Sequence, residues 1–426
     1  MVPATQAAVE AVWRIESGRL VAALTRITGD FAAAEDLAAD ALERALRQWP
    51  DEGVPDRPGA WLMGTAKHLA VDAHRRRLTL ARKLEQLAHD PTRQEVTDPM
   101  ADVDDDLDTA VSDDLLRLVF TTCHPVLTVD SQVALTLRTV AGLQTREIGR
   151  AFLVPESTVG QRISRAKKTL TDRMVRFELP AAQDLPDRLH AVLGVVYLVF
   201  NEGYVATGGA DWTRPALCQD ALHLGRFLAR LQPDQPEVHG LLALMELQAS
   251  RIAARTDLDG QPLLLAEQDR RRWDPLHIHR GLVALQRAED LGGGPYTVQA
   301  AIAACHARAR SVDTTDWQRV VALYTVLAHL APSPVVQLNR AVAVGMADGP
   351  AYGLALTEQL AAEPALADYP QLAAVRGSFL RQLGRTSEAR AQFLLAADQT
   401  TNDAERRLYL RQAAADDGPS PGSNTP

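Results

Sequence analysis

The stretch from Thr145 to Leu170 restricts the fold more than any other part of the chain. Val159, Ile163, Ala166 and Leu170 recur at spacings of four, three and four, which lines them up on one stripe of a helix. Gln161, Arg162, Arg165 and Lys168 then point away from that stripe. The residues from Thr145 onward read as a shorter preceding helix, joined to the second by a tight turn at Leu153-Val154-Pro155. A helix that is apolar on one face and cationic on the other suits insertion into the DNA major groove.

At 426 residues the chain is too long for one ordinary domain. Its 46% hydrophobic and 23% charged residues are those of a globular protein, and the low aromatic share (5%), with Ala and Leu abundant, favours helix. A net charge of −9 argues against nucleic acid only if it is spread evenly, and it is not. Between Arg138 and Arg176 there are nine basic side chains and three acids, whereas Glu95 to Asp114 holds nine acids and no Lys or Arg. Cys123, Cys218 and Cys305 are odd in number and widely spaced, which fits reduced thiols and opposes a disulfide framework or a zinc site. No signal pattern opens the chain, and the longest apolar run, Ala191 to Phe200, is too short to span a bilayer, so a cytoplasmic protein without a membrane partner is expected.

The periodicity predicts an all-α protein. Val9, Trp13, Leu20, Leu24 and Ile27 define a first helix, and Gly29-Asp30 breaks it. A second helix over Phe31 to Trp49 turns Leu37, Ala41 and Ala45 inward. Pro50 to Pro58 reads as a loop, and a third helix runs from Ala60 to about Leu78, ending in Arg75, Arg76 and Arg77. Asp130 is the expected N-cap of the helix before the helix-turn-helix. Gly377, Leu380, Gly384, Ala389, Phe393 and Ala396 fall at the spacing of a tetratricopeptide unit, so a helical-hairpin array is expected in the last part. The domains so predicted are 1–80, an acidic flexible linker over 81–112, a helix-turn-helix domain over 113–178, a repeat-like domain over 179–415 and a disordered tail over 416–426.

Residues 1–177 resemble a sigma factor of the extracytoplasmic-function (ECF) type, with its region 2 and region 4. The resemblance rests on Ala34 to Leu46, on Trp61 to Arg77 and on the helix-turn-helix. The remainder resembles the ECF group with a tetratricopeptide-like extension, through Val199 to Tyr204, Arg255 to Gly260, Arg272 to Asp274, Gln299 to His306 and Leu338 to Val344. The chain departs from the wider ECF pattern at Leu153, where a glycine is usual in the turn, and at His68, where an asparagine is usual. A bulky residue held at positive φ would cost roughly 1 kcal/mol.

By charge and shape, Gln161, Arg162 and Arg165 are candidates for base contact, Lys167, Lys168 and Arg173 for phosphate contact, and Thr158 is a further DNA-binding candidate. The plainer alternative is a solvated helix face. Arg75, Arg76 and Arg77 lie where cations oppose a helix macrodipole, yet with Lys67 and His68 on the same helix they also suit single-strand and phosphate contact. The resemblance implies core RNA polymerase and promoter DNA as partners, with a polymerase-binding surface at Asp36, Asp40, Glu43, Arg44 and Arg47. It implies that the Pro50–Pro58 loop captures a flipped base, that the acidic linker lies along the RNA exit path, and that the extension regulates the factor.

Asn201, Glu202, Tyr204, Arg255, Asp257 and Trp273, with Asp269, Arg270 and Asp274 nearby in sequence, form a candidate regulatory pocket for a protein or small-molecule signal. The alternative, a buried network of paired charges that fixes helix packing, is the favoured reading. No nucleophile elbow, phosphate loop or His-Glu-x-x-His motif occurs, so no enzyme, cofactor or metal is expected. Two rival classes stand beside the sigma factor: a helix-turn-helix regulator that never enters polymerase, and a tetratricopeptide scaffold.

Overall fold

Asp30 starts the second helix by accepting the backbone N–H groups of Ala32 (2.9 Å) and Ala33 (3.2 Å), and Gly29 before it takes φ +66°, so the chain reverses here. The computed structural model describes residues 2–88, 107–152, 154–205 and 212–415. Leu153, the centre of the acidic linker and the tail from 416 lie outside these. Among the described residues the protein is all-α, with one isolated β-bridge between Thr256 and Pro262. It divides into two units, Met1–Val195 and Val196–Pro426.

The first unit opens with α1 (Val2–Thr28), α2 (Phe31–Glu52) and α3 (Pro58–Ala88), which pack on one another. Leu37, Ala41 and Ala45 are buried as expected, together with Trp49, whose ring meets that of Trp61 edge-on with centroids 5.4 Å apart. Two boundaries differ from expectation. Pro50 lies inside the last turn of α2, where it leaves the Leu46 carbonyl without its helical N–H donor, and the helix stops only at Gly53 (φ +85°). The loop to α3 is correspondingly short, and α3 continues past its three arginines to Ala88.

Next come α4 (Leu107–Thr122), α5 (Val129–Thr139), α6 (Thr145–Phe152) and α7 (Glu156–Asp172). Asp130 does not cap α5. Thr128 does, because it holds the extended conformation a cap requires and its Oγ1 accepts from Ser131 N (3.4 Å), which leaves Asp130 in the first turn. α1 also packs on α4, and the two modules share a buried joint. The Asp114 carboxylate takes Arg26 of α1 at 2.7 Å and Arg117 of its own helix at 2.7 Å.

α8 (Leu185–Tyr204) runs across the division between the units. The second unit continues through α9 (Pro215–Leu231), α10 (Pro236–Ala249), α11 (Pro275–Asp290), α12 (Pro295–Arg308) and α13 (Trp317–Leu330). It ends with α14 (Pro334–Asp348), α15 (Pro350–Leu360), α16 (Pro370–Gln382), α17 (Thr386–Gln399) and α18 (Asp403–Ala414). From α12 on, each helix packs on the next, with a series of small local cores rather than one large one. This is the geometry of a stacked helical array. The predicted unit is there as α16 and α17, with Gly377 facing the ring of Phe393 and the turn made at Gly384 (φ +75°).

The tightest approach is one turn of the array earlier. A Cβ on Gly345 would stand 2.3 Å from the Phe379 ring, and one on Gly353 would stand 2.5 Å from the same ring. Both helices approach so closely because neither carries a side chain at the crossing. Gly345→Ala is therefore expected to lower the stability of the full-length chain by about 1–3 kcal/mol, the usual cost of overpacking a filled core, measured by denaturant unfolding followed by circular dichroism. A change below 0.5 kcal/mol would show that the crossing relaxes freely.

Candidate nucleic-acid interface

The tight turn between α6 and α7 depends on Gly149. A Cβ there would stand 2.8 Å from Val154 O, while the glycine carbonyl accepts from Val154 N at 3.0 Å. Thr145 Oγ1 donates to Glu156 Oε1 (2.8 Å), which ties the start of α6 to the start of α7. Pro155 precedes α7 with extended geometry, φ −55° and ψ 143°. The stripe read from sequence is the buried face: Val159, Ile163, Ala166 and Leu170 are all inside, against α5 and α6.

The opposite face is not uniformly exposed. Gln161, Arg165, Lys168 and Arg173 are exposed, and Thr158 is half-buried. Arg162 turns aside to pair with Asp130 of α5 at 2.7 Å. Lys167 pairs at 2.7 Å with Glu35 of α2, whose other oxygen lies 3.7 Å from Arg138 of α5. Two of the residues assigned to DNA are thus already held by carboxylates, one of them across the joint between modules. Sequence periodicity gives the direction of a side chain but not which acid stands opposite it.

On α3, His68 and Arg75 are exposed and Lys67 is half-buried. Arg76 and Arg77 follow on the same helix, and their side chains lie outside the described set. Asp36, Asp40, Glu43, Arg44 and Arg47 are all exposed on the side of α2 away from its core, with Arg47 bonded to Glu43 at 2.5 Å.

In the second unit the residues grouped from sequence do not form one network. Glu202 pairs with Arg214, and Asp257 folds its own turn by accepting from Asp259 N (2.9 Å) and Gln261 N (2.7 Å). Asp269 pairs with Arg271, Asp274 caps α11, and Asn201 is half-buried on α8. Among the described residues Arg255 has no carboxylate partner. Its guanidinium lies 3.8 Å from the ring centroid of Tyr204 and 5.2 Å from that of Trp212. Trp273 is covered by Arg251 (5.1 Å) and Arg270 (4.5 Å). Of the expected paired buried charges, Glu202 with Arg214 is one; Arg251, Arg255 and Arg270 pack on aromatic rings, and Asp257, Asp269 and Asp274 serve turns and helix starts. Trp212 and Arg251 were missed, although a tryptophan in a chain so poor in aromatics was a signal.

The three thiols are buried, and burial pushes Cys123 up to about 11 and Cys218 up to about 12. Neither is a ready nucleophile at neutral pH. Among the described residues no helix is long and apolar enough to cross a membrane.

Residues 13–78 match the sigma-70 region 2 family, and residues 117–170 match the sigma-70 region 4 family. The chain belongs to the ECF-type sigma factors, with a C-terminal extension. A probable ECF RNA polymerase sigma factor, SigI of Mycobacterium tuberculosis, is 27% identical over 177 residues, covering 41% of this chain and 58% of that protein. The extension includes a match to a family of unknown function (DUF6596) over residues 188–289. An uncharacterized protein of Rhizobium meliloti, R00370, is 42% identical over 400 residues, covering 92% of this chain and 93% of its own length. Sigma-factor domains support binding to core RNA polymerase and promoter DNA, and the region 4 match covers α7 up to Leu170.

The end of α7 has one conformational cost. Met174, exposed, takes φ +49°, in the left-handed region that glycine occupies more readily, while Val175 N reaches back to Leu170 O at 3.0 Å. Met174→Gly is expected to stabilise the first unit by about 0.5–1 kcal/mol, seen as a higher unfolding midpoint. A lower midpoint would mean that the side chain contributes more than its backbone strain removes.

Proposed function

We propose that this ECF-type sigma factor docks on core RNA polymerase through the exposed face of α2, reads the promoter −35 element with α7, and engages and melts the −10 element with α3. The observation that carries the reading is the exposed cationic face of α7, Gln161, Arg165 and Lys168, on the same chain as a region 2 module. Arginine and glutamine are the side chains whose paired hydrogen-bonding groups match guanine and adenine edges in the major groove. Arg173 and Arg75 add phosphate contact, and the extension regulates the factor in place of a separate inhibitor. A tethered regulator acts at high effective concentration, so weak contacts suffice.

The ion pair between Lys167 and Glu35 supports a further point. A recognition helix fastened to the polymerase-binding module is a poor DNA reader, so the free factor binds promoters weakly and polymerase must separate the two modules. Arg162 has a similar constraint at Asp130, within its own module. Both cations become available to DNA once their carboxylates find other partners.

In-vitro transcription with purified core polymerase tests the proposal. Promoter-specific transcripts that require this protein are expected. Arg165→Ala should weaken promoter selection by about 1–3 kcal/mol while core binding, measured by pull-down, stays intact. If no candidate promoter yields a transcript, with the extension present or deleted, the sigma-factor reading of this site is wrong. Glu35→Gln should raise the affinity of the free factor for promoter DNA about threefold, the worth of one surface-type ion pair of ~0.7 kcal/mol, in a low-salt fluorescence-anisotropy titration. No change there would mean that the pair does not restrain α7.

A further inference from the structure

Arg251, Arg255 and Arg270 gather in the second unit with Tyr204, Trp212 and Trp273, and no carboxylate among the described residues pairs with any of the three. Arg255 is buried, yet its Nε has no hydrogen-bond partner. The same holds for Arg270 Nη2, Tyr204 OH, Trp212 Nε1 and Trp273 Nε1, all shielded from solvent. Each is a donor. Arg251 finds only the amide oxygen of Gln268 at 3.3 Å, and Arg270 finds the backbone carbonyls of His306 and Ala309.

Burial pushes Arg251 and Arg270 below the usual guanidinium range, and each cation also feels a neighbour of like charge. Burial, with the same two arginines beside it, pushes His306 down to about 4, so it is neutral and adds no further positive charge at neutral pH. Stacking on aromatic faces offsets part of the cost of burying these cations. It leaves Arg255 Nε and Arg270 Nη2 without acceptors, and buried polar groups are normally satisfied. Three guanidiniums with only neutral acceptors between them, and five shielded donor atoms (Arg255 Nε, Arg270 Nη2, Tyr204 OH, Trp212 Nε1 and Trp273 Nε1) with none, form an arrangement that lacks an anion.

We propose that this cluster is a binding site for a small molecule carrying a carboxylate or phosphate group, held by the in-plane N–H groups of Arg255 and its neighbours. Guanidinium presents paired parallel donors that fit either oxyanion, and the tyrosine and tryptophan donors add direction. The inference deepens the reading of the extension as regulatory, and rests on it only for the consequence of binding. Ligand binding is measured without polymerase or promoter, so either idea can fail alone.

The test uses the full-length protein, with tryptophan fluorescence and thermal unfolding followed during titration. Inorganic phosphate and pyrophosphate form one arm, malonate and citrate the other, each at ionic strength matched with sodium chloride. At least one arm should give a saturable shift that chloride does not. Arg255→Gln and Trp212→Phe should each weaken that response tenfold or more, and Arg385→Gln, on an exposed turn before α17, should leave it unchanged. A response confined to one arm identifies the oxyanion. Absence of any saturable response in the wild-type chain overturns the site, whatever the variants do. So does a response that Arg255→Gln and Trp212→Phe both retain in full. If Arg255→Gln does not fold, Trp212→Phe and Tyr204→Phe decide the matter.

Discussion

The first unit depends on one buried carboxylate. Asp114 is 1% exposed and holds Arg26 of the first module and Arg117 of the second, each at 2.7 Å. A carboxylate taken out of water needs charged donors on both oxygens, and removing one partner of such a group typically costs about 3–5 kcal/mol. The two modules are therefore joined through a group that neither could bury alone. The Glu35 contacts with Lys167 and Arg138 sit on the same joint and extend its influence to the recognition helix. On the reading proposed for α7 this joint matters in function, because Lys167, one of the cations assigned to DNA, is among the groups that close it.

The extension is built on a different principle. Its helices are held by small residues at their crossings and by short local cores, so each helix depends mainly on its neighbours in sequence. Where α8, α10 and the short turns after α10 converge, the packing changes character. Arginines and aromatic rings replace leucines and alanines, and among the described residues no carboxylate pairs with the three arginines. A region that departs from the packing rule of its own fold is where a binding function is expected.

Much of the fold was legible in the chain because helix period and helix stops are local properties. The stripe Val159, Ile163, Ala166 and Leu170 predicted the buried face of α7 without error, and Gly377 and Phe393 marked a helical pair. Seven helices of the extension begin with proline at their first turn, a start signal the sequence carries openly: Pro215, Pro236, Pro275, Pro295, Pro334, Pro350 and Pro370. Local signals also misled. Pro50 read as a stop but sits in a helix, and Asp130 read as a cap where Thr128 does the work. Thr128 and Asp130, two positions apart, have similar cap propensities, and backbone geometry chose between them.

The sequence by itself determined the all-α class, the helix-turn-helix, the separation of basic and acidic segments and the kinship with sigma factors. These follow from spacing along the chain, since residues three and four apart in a helix must share a face. Only the tertiary structure decided which charges meet. Arg162 with Asp130, Lys167 with Glu35, and Arg255 with Tyr204 and Trp212 are all encounters between different elements. The partner of a charged side chain is fixed by how helices pack, and no periodicity within one helix records it.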